Sequence, residues 1–465
     1  MDYIIIGGGP TGLSLAYYLV KLNYNVTLVE KDNLLGGSWN SYWIDNKYFS
    51  ENSPRVLGGF SYSSNMEFLK DIGMKDEDFH PIYGNFIESN LKISNFINEN
   101  FTIKDYFIFG AAFLKYGYGK NKMVMSEWMD SVSLSESAKN SIRIISIAIC
   151  DLPENTNVTN FFGSLGMTNL KQMKEPDKWV NLLEEYFSFK NNITILKNMK
   201  VTELVSEKDK ITEVHCYDNY HHKKKILKAN KIVICTQSNN IYPIFKNSSQ
   251  LIRNNWFPEK KMKKWSEETF YSGFGFQLHF NENIEFPETW CWSCMSEWTI
   301  IILPVSDWLT LKSKDSSIKT VWSCCIIDMD TKSKNINKTA NECSKNEVIE
   351  ECIYQLNLLY KIPTPKVTTV SPGLHKKNGK WESLNTGFTR NKMDYLPIKG
   401  KLDNLFALGC FTYSKNYVIS NMETAVDATL HFLDLYESNK LKKIDYISLI
   451  LFLTILVIII IKIKF

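Results

Sequence analysis

The stretch "DYIIIGGGPTGLSLAYYLVKLNYNVTLVEK", residues 2–31, decides the fold. The apolar run Tyr3–Ile6 predicts a short buried strand, and glycines in the spacing G-x-G-x-x-G follow it directly. An apolar helical pattern comes next, and a second strand, Val26–Val29, ends on Glu30. This order of strand, glycine turn, helix, strand and acid is typical of the first unit of a dinucleotide-binding α/β fold.

The chemistry of a dinucleotide site accounts for each residue type in this stretch. Gly7 permits the tight turn, Gly9 lets a diphosphate approach the backbone, and Gly12 lets the helix pack closely on the strand. The helix N-terminus supplies N–H groups and positive potential for the phosphates, and Glu30 can accept hydrogen bonds from ribose hydroxyls. The cofactor-binding residues predicted here are Gly7, Gly9, Pro10, Thr11, Gly12, Glu30 and Lys31. An ordinary βαβ unit with a glycine turn is the alternative.

Composition restricts the classes of function. A chain of 465 residues with 44% hydrophobic residues can bury a large core and is expected to form two or three intertwined units. Its net charge is only +4 and its charged residues are interleaved, so no nucleic-acid partner is expected. Seven histidines show no ligand spacing, which predicts no metal site. Ten cysteines indicate free thiols in a reducing compartment.

Two blocks after the first unit favour FAD over NAD. A second glycine pair, Gly36–Gly37, comes soon after the predicted ribose-binding acid and resembles an extension found in FAD proteins. The block "FSENSPRVLGG", residues 49–59, is one that pure NAD dehydrogenases do not need. The sequence has no second G-x-G-x-x-G with a strand before it and a helix after it. This disfavours flavoproteins that bind two nucleotides, and the predicted cofactor is FAD.

The rest of the chain predicts a discontinuous FAD-binding domain and a second domain. Residues from about 66 to 183 are mostly helical in pattern, "KIVIC" at 231–235 is a buried strand, and alternating strands from Tyr271 indicate an antiparallel sheet. The segment "DNLFALG" then predicts a buried strand that ends in Gly409, followed by a helix. We therefore predict an α/β fold with a Rossmann-type FAD-binding domain (1–85, 190–250 and 385–438) and an α+β substrate domain (86–189 and 251–384).

Four blocks together resemble the flavin-containing amine oxidase superfamily, which includes monoamine and polyamine oxidases, protoporphyrinogen oxidases and relatives of phytoene desaturase. They are the N-terminal glycine motif with Glu30, the Gly36–Gly37 pair, "ENSPR" at 51–55, and "NLFALG…NMETAVDA" near the C-terminal end. The resemblance implies that the last block approaches the isoalloxazine and ribityl groups and that Val201 lies against the adenine. The further cofactor-binding residues implied are Gly36, Gly37, Ser38, Trp39, Pro54, Arg55, Val201, Gly409, Met422, Glu423 and Ala425.

The chain departs from the family pattern at three positions. Ser38 stands where the family often has an arginine after the paired glycines, and Cys410–Phe411 stand where it usually places a ribityl-binding acid. Asn421 occupies the position of an aromatic cage residue. No catalytic residue can be assigned. The candidates for the substrate pocket are Trp381, Phe388 and Asn421, and for the two aromatic residues plain core packing is the alternative.

The resemblance implies an FAD-dependent oxidoreductase that transfers a hydride from an amine or a lipophilic small-molecule substrate to the flavin. Reoxidation by O2 is expected because no nicotinamide site is found. Two alternatives remain. One is a flavin-binding membrane scaffold without catalysis, which the departures would allow. The other is a thiol oxidoreductase that uses Cys291 and Cys294, although a C-x-x-C in a strand places its thiols on opposite faces.

The C-terminal residues predict a membrane anchor. Residues 447–461 carry no charge, and lysines follow at 462 and 464. We expect a transmembrane tail anchor at 444–463 that makes the lipid bilayer a partner and keeps the body of the protein on the cytosolic side. A buried C-terminal helix or strand is the alternative reading.

Overall fold

The computed structural model describes residues 2–52, 55–59, 64–82, 100–117, 121–149, 151–164, 168–285, 296–384, 387–390, 394–412 and 420–438. Its helices are α1 (Pro10–Lys21), α2 (Ser64–Asp71), α3 (Ile103–Tyr116), α4 (Met125–Ser131), α5 (Glu136–Ile149), α6 (Val158–Ser164), α7 (Lys178–Ser188), α8 (Ser238–Phe245), α9 (Gln250–Arg253), α10 (Glu259–Glu268), α11 (Lys345–Leu359) and α12 (422–438). Short 3-10 helices span Gly37–Trp39, Asp76–Asp78 and Val305–Asp307.

The strands lie between and after these helices. They are β1 (Tyr3–Ile6), β2 (Val26–Val29), β3 (Ser41–Ile44), β4 (Tyr48–Glu51), β5 (Leu57–Gly59), β6 (Phe79–Pro81), β7 (Thr168–Met173), β8 (Ile193–Leu196), β9 (Met199–Glu207), β10 (Lys210–Asp218), β11 (Lys223–Leu227), β12 (Lys231–Ile234), β13 (Phe270–Tyr271), β14 (Phe274–Phe280), β15 (Ile301–Leu303), β16 (Thr320–Ile326), β17 (Val367–Val370), β18 (Leu374–Lys377), β19 (Lys380–Ser383), β20 (Phe388–Thr389) and β21 (Leu405–Ala407).

A five-stranded parallel sheet in the order β21-β12-β1-β2-β8 carries the first predicted unit. All four residues of β1 are buried because side chains on both faces of this central strand are covered. Tyr3 and Ile5 pack into one hydrophobic cluster, and Ile4 and Ile6 pack into another. Burial on both faces explains the unbroken apolar run in the sequence, as is usual for a parallel sheet.

Helix α12 closes this domain onto its own beginning. The Thr429 hydroxyl lies 3.0 Å from the Ser14 hydroxyl of α1 and donates to the carbonyl oxygen of Thr11 at 3.2 Å. At the other end of α12, buried Glu437 accepts hydrogen bonds from the hydroxyls of Tyr3 and Tyr24 and from the ammonium group of Lys231. The two ends of the described chain therefore pack against each other.

A second, antiparallel sheet lies in the order β15-β16-β14-β17, as the alternation from Tyr271 onward predicts. Its middle strands, β14 and β16, are buried at every position. Helix α11 covers one face through buried Val348, Cys352 and Leu356. Helices α3 to α6 form a separate hydrophobic cluster around Phe161 and Phe162.

The predicted α/β fold with a Rossmann-like unit is confirmed, but the transmembrane part of the predicted fold class is wrong. Within the described residues, no helix is both long enough and apolar enough to cross a bilayer. The anchor predicted at 444–463 lies outside the described residues. The fifteen uncharged residues at 447–461 had suggested it, but composition alone does not establish a spanning helix. The anchor, the bilayer as a partner and the membrane location are therefore corrected. The predicted domain boundaries stay a prediction.

Glu437 provides a test of how the ends of the chain are joined. Burial pushes its pKa up, but hydrogen bonds from Lys231, Tyr24 and Tyr3 outweigh burial and hold the pKa below its ordinary value. We expect Glu437→Gln to lower the free energy of unfolding by about 1–3 kcal/mol in urea denaturation at neutral pH, since Lys231 is one-third exposed and partly screened. Asp71→Asn, which breaks the exposed pair with Lys21, is the control and should cost under about 1 kcal/mol. Equal effects of both would contradict this role.

His279 predicts a specific acid sensitivity. Its ring is fully buried in β14, and burial lowers its pKa to about 4. Between the ordinary histidine pKa and that value, the unfolded chain takes up a proton that the folded chain does not. Stability should therefore fall as the pH falls through this window, by about 3 kcal/mol in total from this group. His279→Gln should flatten the decline of the urea midpoint with acid, whereas His375→Gln, at a partly exposed ring, should not.

Candidate dinucleotide and flavin site

Gly7 to Gly12, called here the glycine corner, joins β1 to α1. The backbone packs so closely at Gly7 and Gly12 that neither position has room for a side chain. Gly7 has a φ of +113°, and a Cβ there would lie 2.6 Å from the carbonyl oxygen of Cys235. A Cβ on Gly12 would lie 1.8 Å from the carbonyl oxygen of Gly7. Gly9 differs, because beyond its chain neighbours no atom of the described residues lies within 4 Å of the position of a Cβ. The corner is therefore closed on its protein side and open at Gly9.

The N-terminus of α1 faces this open space. Gly9 precedes the helix in an extended conformation and no side chain caps it. The first bond of the helix with the ordinary spacing runs from the Leu13 N–H to the Gly9 carbonyl oxygen. Pro10 has no N–H, and the N–H groups of Thr11 and Gly12 precede that bond. Unbonded N–H groups and the helix dipole make such an end suited to an anion.

The second glycine pair packs directly on the corner. The Gly36 N–H donates to the carbonyl oxygen of Gly8 at 2.8 Å. Gly36 and Gly37 both have positive φ, +104° and +56°, and a Cβ on Gly37 would come within 3.0 Å of the Gly9 Cα. Ser38, partly exposed, and buried Trp39 complete the short helix that follows. The structure thus brings together two glycine motifs that the sequence separates.

Glu30 lies at the end of β2, beside the corner. Its carboxylate accepts hydrogen bonds from the N–H groups of Gly8, at 2.6 Å, and Asp32, at 3.0 Å. Burial raises the pKa of Glu30, and these two hydrogen bonds act in the opposite direction. A carboxylate has about four lone-pair sites, so two accepted bonds leave capacity for ribose hydroxyls. Lys31 instead pairs with Asp32 at 3.0 Å.

Val201 lies in strand β9, which is joined to Glu30 by a backbone hydrogen bond. Strand β9 begins where the Met199 N–H donates to the Glu30 carbonyl oxygen at 2.7 Å. Two residues on, Val201 is buried in the same cluster as Ile4 and Val29. Val201 is therefore a buried apolar side chain in the strand whose first residue is hydrogen-bonded to Glu30, and its contact with an adenine stays a prediction.

Gly409 and Cys410 follow strand β21, at one edge of the parallel sheet. Gly409 is buried, and the Cys410 thiol donates to the carbonyl oxygen of Asn421 at 3.6 Å. Burial raises the pKa of the Cys410 thiol to about 11, so this group is neutral at physiological pH. Asn421 caps α12, because its side-chain oxygen accepts from the Thr424 N–H at 2.7 Å. Asn421 therefore acts first as a helix cap.

Three further residues of the closing block are packed into the protein. Met422 and Ala425 are buried, and Met422 belongs to the cluster that includes α1. Both carboxylate oxygens of Glu423 accept from the first N–H groups of α2, those of Ser64 at 2.5 Å and Asn65 at 2.8 Å. A negative charge at a helix N-terminus is favourable. The geometry gives Glu423 the role of joining α12 to α2.

Arg55 is the most unusual group near the glycine motifs. Its side chain is buried, and its Nε donates to Glu51 Oε2 at 2.9 Å. The guanidinium lies over the Trp39 ring, 5.5 Å from the ring centroid. Both Nη1 and Nη2 are buried and have no hydrogen-bond partner among the described residues. Pro54, which the resemblance also implied, lies outside the described residues.

The structure separates the two aromatic pocket candidates. Trp381 lies in the core of the second sheet, where its indole N–H donates to the carbonyl oxygens of Ala340 and Cys343, so the packing alternative describes it. Phe388 pairs instead with Tyr271, with ring centroids 5.4 Å apart and nearly parallel planes. Phe388 lies near the closing block, because the N–H of the next residue, Thr389, donates to the Ser420 hydroxyl at 2.7 Å.

Sequence reasoning missed the partners of Phe388. The Arg390 guanidinium lies over the Tyr271 ring at 5.2 Å, and its Nε donates to buried Asp151 at 3.2 Å. Burial raises the pKa of Asp151, and Arg390 counteracts it. No local signal identifies this group, because Asp151, Tyr271 and Arg390 come from three distant segments. Glu51 and Arg55 are four residues apart, but that spacing indicates an ion pair only on a helix, and Glu51 ends strand β4.

The described residues provide no support for the thiol oxidoreductase alternative. Cys291 and Cys294 lie outside them. The vicinal thiols of Cys324 and Cys325 are buried in β16, and burial raises the pKa of Cys325 to about 12, which makes the thiol a poor nucleophile. Within the described ranges, no three histidine, cysteine or acidic residues lie together as metal ligands.

Comparison with known proteins agrees with this geometry. The family model of the NAD(P)-binding Rossmann-like domain matches residues 5–72. A curated relative, thiamine thiazole synthase of Pyrococcus horikoshii, is 29% identical over 120 residues. That match covers 23% of this chain and 43% of the relative, so the chain spans less than half the length of the curated relative it matches.

Solved structures match over nearly the whole chain. An oxidoreductase from Methanosarcina mazei superposes with a TM-score of 0.63 at 13% identity, covering 93% of this chain and 100% of that one. A putrescine oxidase variant gives 0.62 at 10% identity (95% and 99% covered). Cyclohexylamine oxidase from Brevibacterium oxydans gives 0.57 at 11% identity (92% and 96% covered). At these identities the likeness shows the fold alone: the chain shares the fold of these two amine oxidases, and the predicted resemblance is confirmed at that level.

Proposed function

We propose that this protein is an FAD-dependent oxidoreductase of the amine oxidase type, acting on an amine or a lipophilic small molecule. One observation carries the proposal: the open corner at Gly9 meets Glu30 and the Gly36–Gly37 pair in a fold shared with two amine oxidases. What the names of those two enzymes say about their substrates suggests a primary amine as the first class to test.

The residues around the corner fit FAD. The space at Gly9 and the uncapped N-terminus of α1 suit a diphosphate, and the Glu30 carboxylate suits a ribose. Gly37 packs so close to Gly9 that the two glycine motifs form one continuous backbone surface. The buried apolar position of Val201 suits an adenine ring.

In this proposal each part of the chain has a defined task. FAD supplies the redox chemistry by accepting a hydride equivalent from the substrate. The N-terminus of α1 holds the diphosphate, and Glu30 accepts hydrogen bonds from the ribose hydroxyls. The buried cluster of Ile147, Tyr271, Ile301 and Ile327, with Phe388 packed against it, would exclude water from an apolar part of the substrate. Dioxygen is the proposed electron acceptor, because the sequence contains a single G-x-G-x-x-G motif.

A flavin-binding protein without catalysis is the second candidate, and a specific observation favours it. The position at which the family places a ribityl-binding acid holds Cys410, whose raised pKa keeps it neutral. Asn421 and Glu423, in the closing motif, are engaged in capping helices. Binding of flavin is common to both candidates, so reduction by a substrate separates them.

The first test uses the purified full-length protein. We expect added FAD to remain bound through gel filtration and to show the two visible absorption bands of oxidised flavin. Anaerobic addition of a panel of primary amines, including putrescine and cyclohexylamine, should bleach these bands, and air should restore them. A protein that stays colourless after incubation with FAD would disprove both candidates. Bound flavin that no amine, porphyrinogen or polyene reduces would favour the non-catalytic candidate.

Gly9→Val tests the proposed diphosphate site, the open space between Gly9 and the N-terminus of α1. The backbone at Gly9 is extended (φ −81°, ψ −174°), a conformation that valine adopts, and apart from its chain neighbours no described atom lies within 4 Å of its Cβ position. The side chain would fill the space proposed for the diphosphate and block N–H groups of α1. We expect FAD affinity to fall by about 100-fold, corresponding to the loss of one or two charge-assisted hydrogen bonds.

Fluorescence titration of FAD into the flavin-free protein measures this effect. Gly110→Val is the matched control, because Gly110 also has open space around its Cβ position but lies in α3, far along the chain from the corner. Its FAD affinity should equal that of the wild type. Unchanged affinity in Gly9→Val would exclude the corner as the diphosphate site.

A further inference from the structure

The segment that carries Glu51 and Arg55 lies between the second sheet and the short helix Gly37–Trp39. The carbonyl oxygen of Glu51 accepts from the Gln277 side chain at 3.0 Å and from the Ser371 hydroxyl at 2.8 Å. Gln277 belongs to β14 and Ser371 follows β17, so the second sheet holds this segment from one side. A Cβ on Gly275 of β14 would lie 2.3 Å from the Asn52 carbonyl oxygen, which shows how closely the two parts approach.

The other side of the same segment meets the glycine motifs. Trp39, under the Arg55 guanidinium, is the last residue of the short helix that starts at Gly37. The Gln172 side chain donates to the carbonyl oxygen of Arg55 at 2.8 Å and fixes its backbone. Arg55 therefore lies between the two glycine motifs, where the cofactor is proposed to bind, and the second sheet.

The described contacts of the Arg55 side chain fix its orientation. They leave Nη1 and Nη2 without a hydrogen-bond partner among the described residues. The Nε–Glu51 bond and the stack on Trp39 fix the plane of the guanidinium. The side chain is 6% exposed, and Nη1 and Nη2 have no hydrogen-bond partner among the described residues. Buried polar groups in proteins are almost always hydrogen-bonded, and exceptions require an explanation such as a ligand.

We propose that Arg55 is an oxyanion anchor, whose Nη1 and Nη2 donate to the two oxygens of a bound carboxylate or phosphate. A guanidinium presents its donors as a planar fork that matches this geometry, and the aromatic face of Trp39 keeps the fork rigid. Glu51 takes only Nε, so the pair is oriented without using the two donors that face the ligand. The anchoring itself requires no cofactor; only the assignment of its source rests on the function proposed above.

Two molecules could supply the oxyanion. One is the diphosphate of the dinucleotide, since Trp39 follows the glycine pair that contacts Gly9. The other is a carboxylate on the substrate, since the second sheet holds the segment on its opposite side. The second source would make the substrate an amine that also carries an acid group.

The experiment measures anion binding to flavin-free full-length protein by calorimetry, with inorganic pyrophosphate and benzoate as separate probes. We expect at least one probe to bind the wild type and to bind Arg55→Lys at least tenfold more weakly, because lysine keeps the charge and loses the fork. The double variant Glu51→Gln/Arg55→Gln, which leaves no unpaired buried charge, should show the same loss. Arg143→Lys is the control, since Arg143 already pairs with Asp328 at 2.5 Å.

Each outcome decides a point. Loss of pyrophosphate binding alone identifies the diphosphate as the source, and loss of benzoate binding identifies a substrate carboxylate. The proposal is overturned if neither probe binds the wild type, or if Arg55→Lys and the double variant bind both probes as the wild type does. A parallel FAD titration separates this result from the proposed function: benzoate binding that depends on Arg55 in a protein that takes up no FAD would leave the anchor intact.

Discussion

The structure depends on the close contact between Gly7 and Gly12. With only 1.8 Å between the Gly7 carbonyl oxygen and the position of a Cβ on Gly12, any side chain there would push α1 away from the end of β1. Since α1 also carries Ser14, which meets Thr429, the same displacement would loosen α12. The direction of the α1 N-terminus, the packing of the last helix and the open space at Gly9 therefore share one steric cause.

The strand order of the parallel sheet explains why the site is assembled from distant segments. Strands from residues 3–6, 26–29, 193–196, 231–234 and 405–407 lie side by side, and residues at their carboxyl ends meet at one edge. Glu30 follows β2, and Gly409 follows β21. The hydrogen bonds of Glu437 to Tyr3, Tyr24 and Lys231 fix the opposite end of the same sheet. A single sheet thus positions groups that are hundreds of residues apart in the chain.

The sequence predicted the local features well because each has a local physical cause. Glycine at 7, 9 and 12, the apolar run of β1 and the acid after β2 follow from sterics and from burial on both sheet faces. The sequence could not predict partners that depend on tertiary packing. Glu423 was expected at the cofactor, and its carboxylate caps α2. Trp381 was a pocket candidate, and it lies in the core of the second sheet. The membrane anchor was wrong because an uncharged run fixes hydropathy and not structure. The predicted site residues as a set stay predictions.

Two positions near the proposed site, Ser38 and Cys410, carry no charge where the resemblance implied charges of opposite sign. The resemblance implied an arginine at the position of Ser38 and an acid at the position of Cys410, so one positive and one negative group are absent together from these positions. Cys410, neutral because burial raises its pKa to about 11, needs no counter-charge. One buried positive charge that the structure does hold near the glycine motifs is Arg55, paired with Glu51 and stacked on Trp39. In the anchor proposed above, recognition of negative charge rests on this one guanidinium, whose plane is fixed by Glu51 and Trp39.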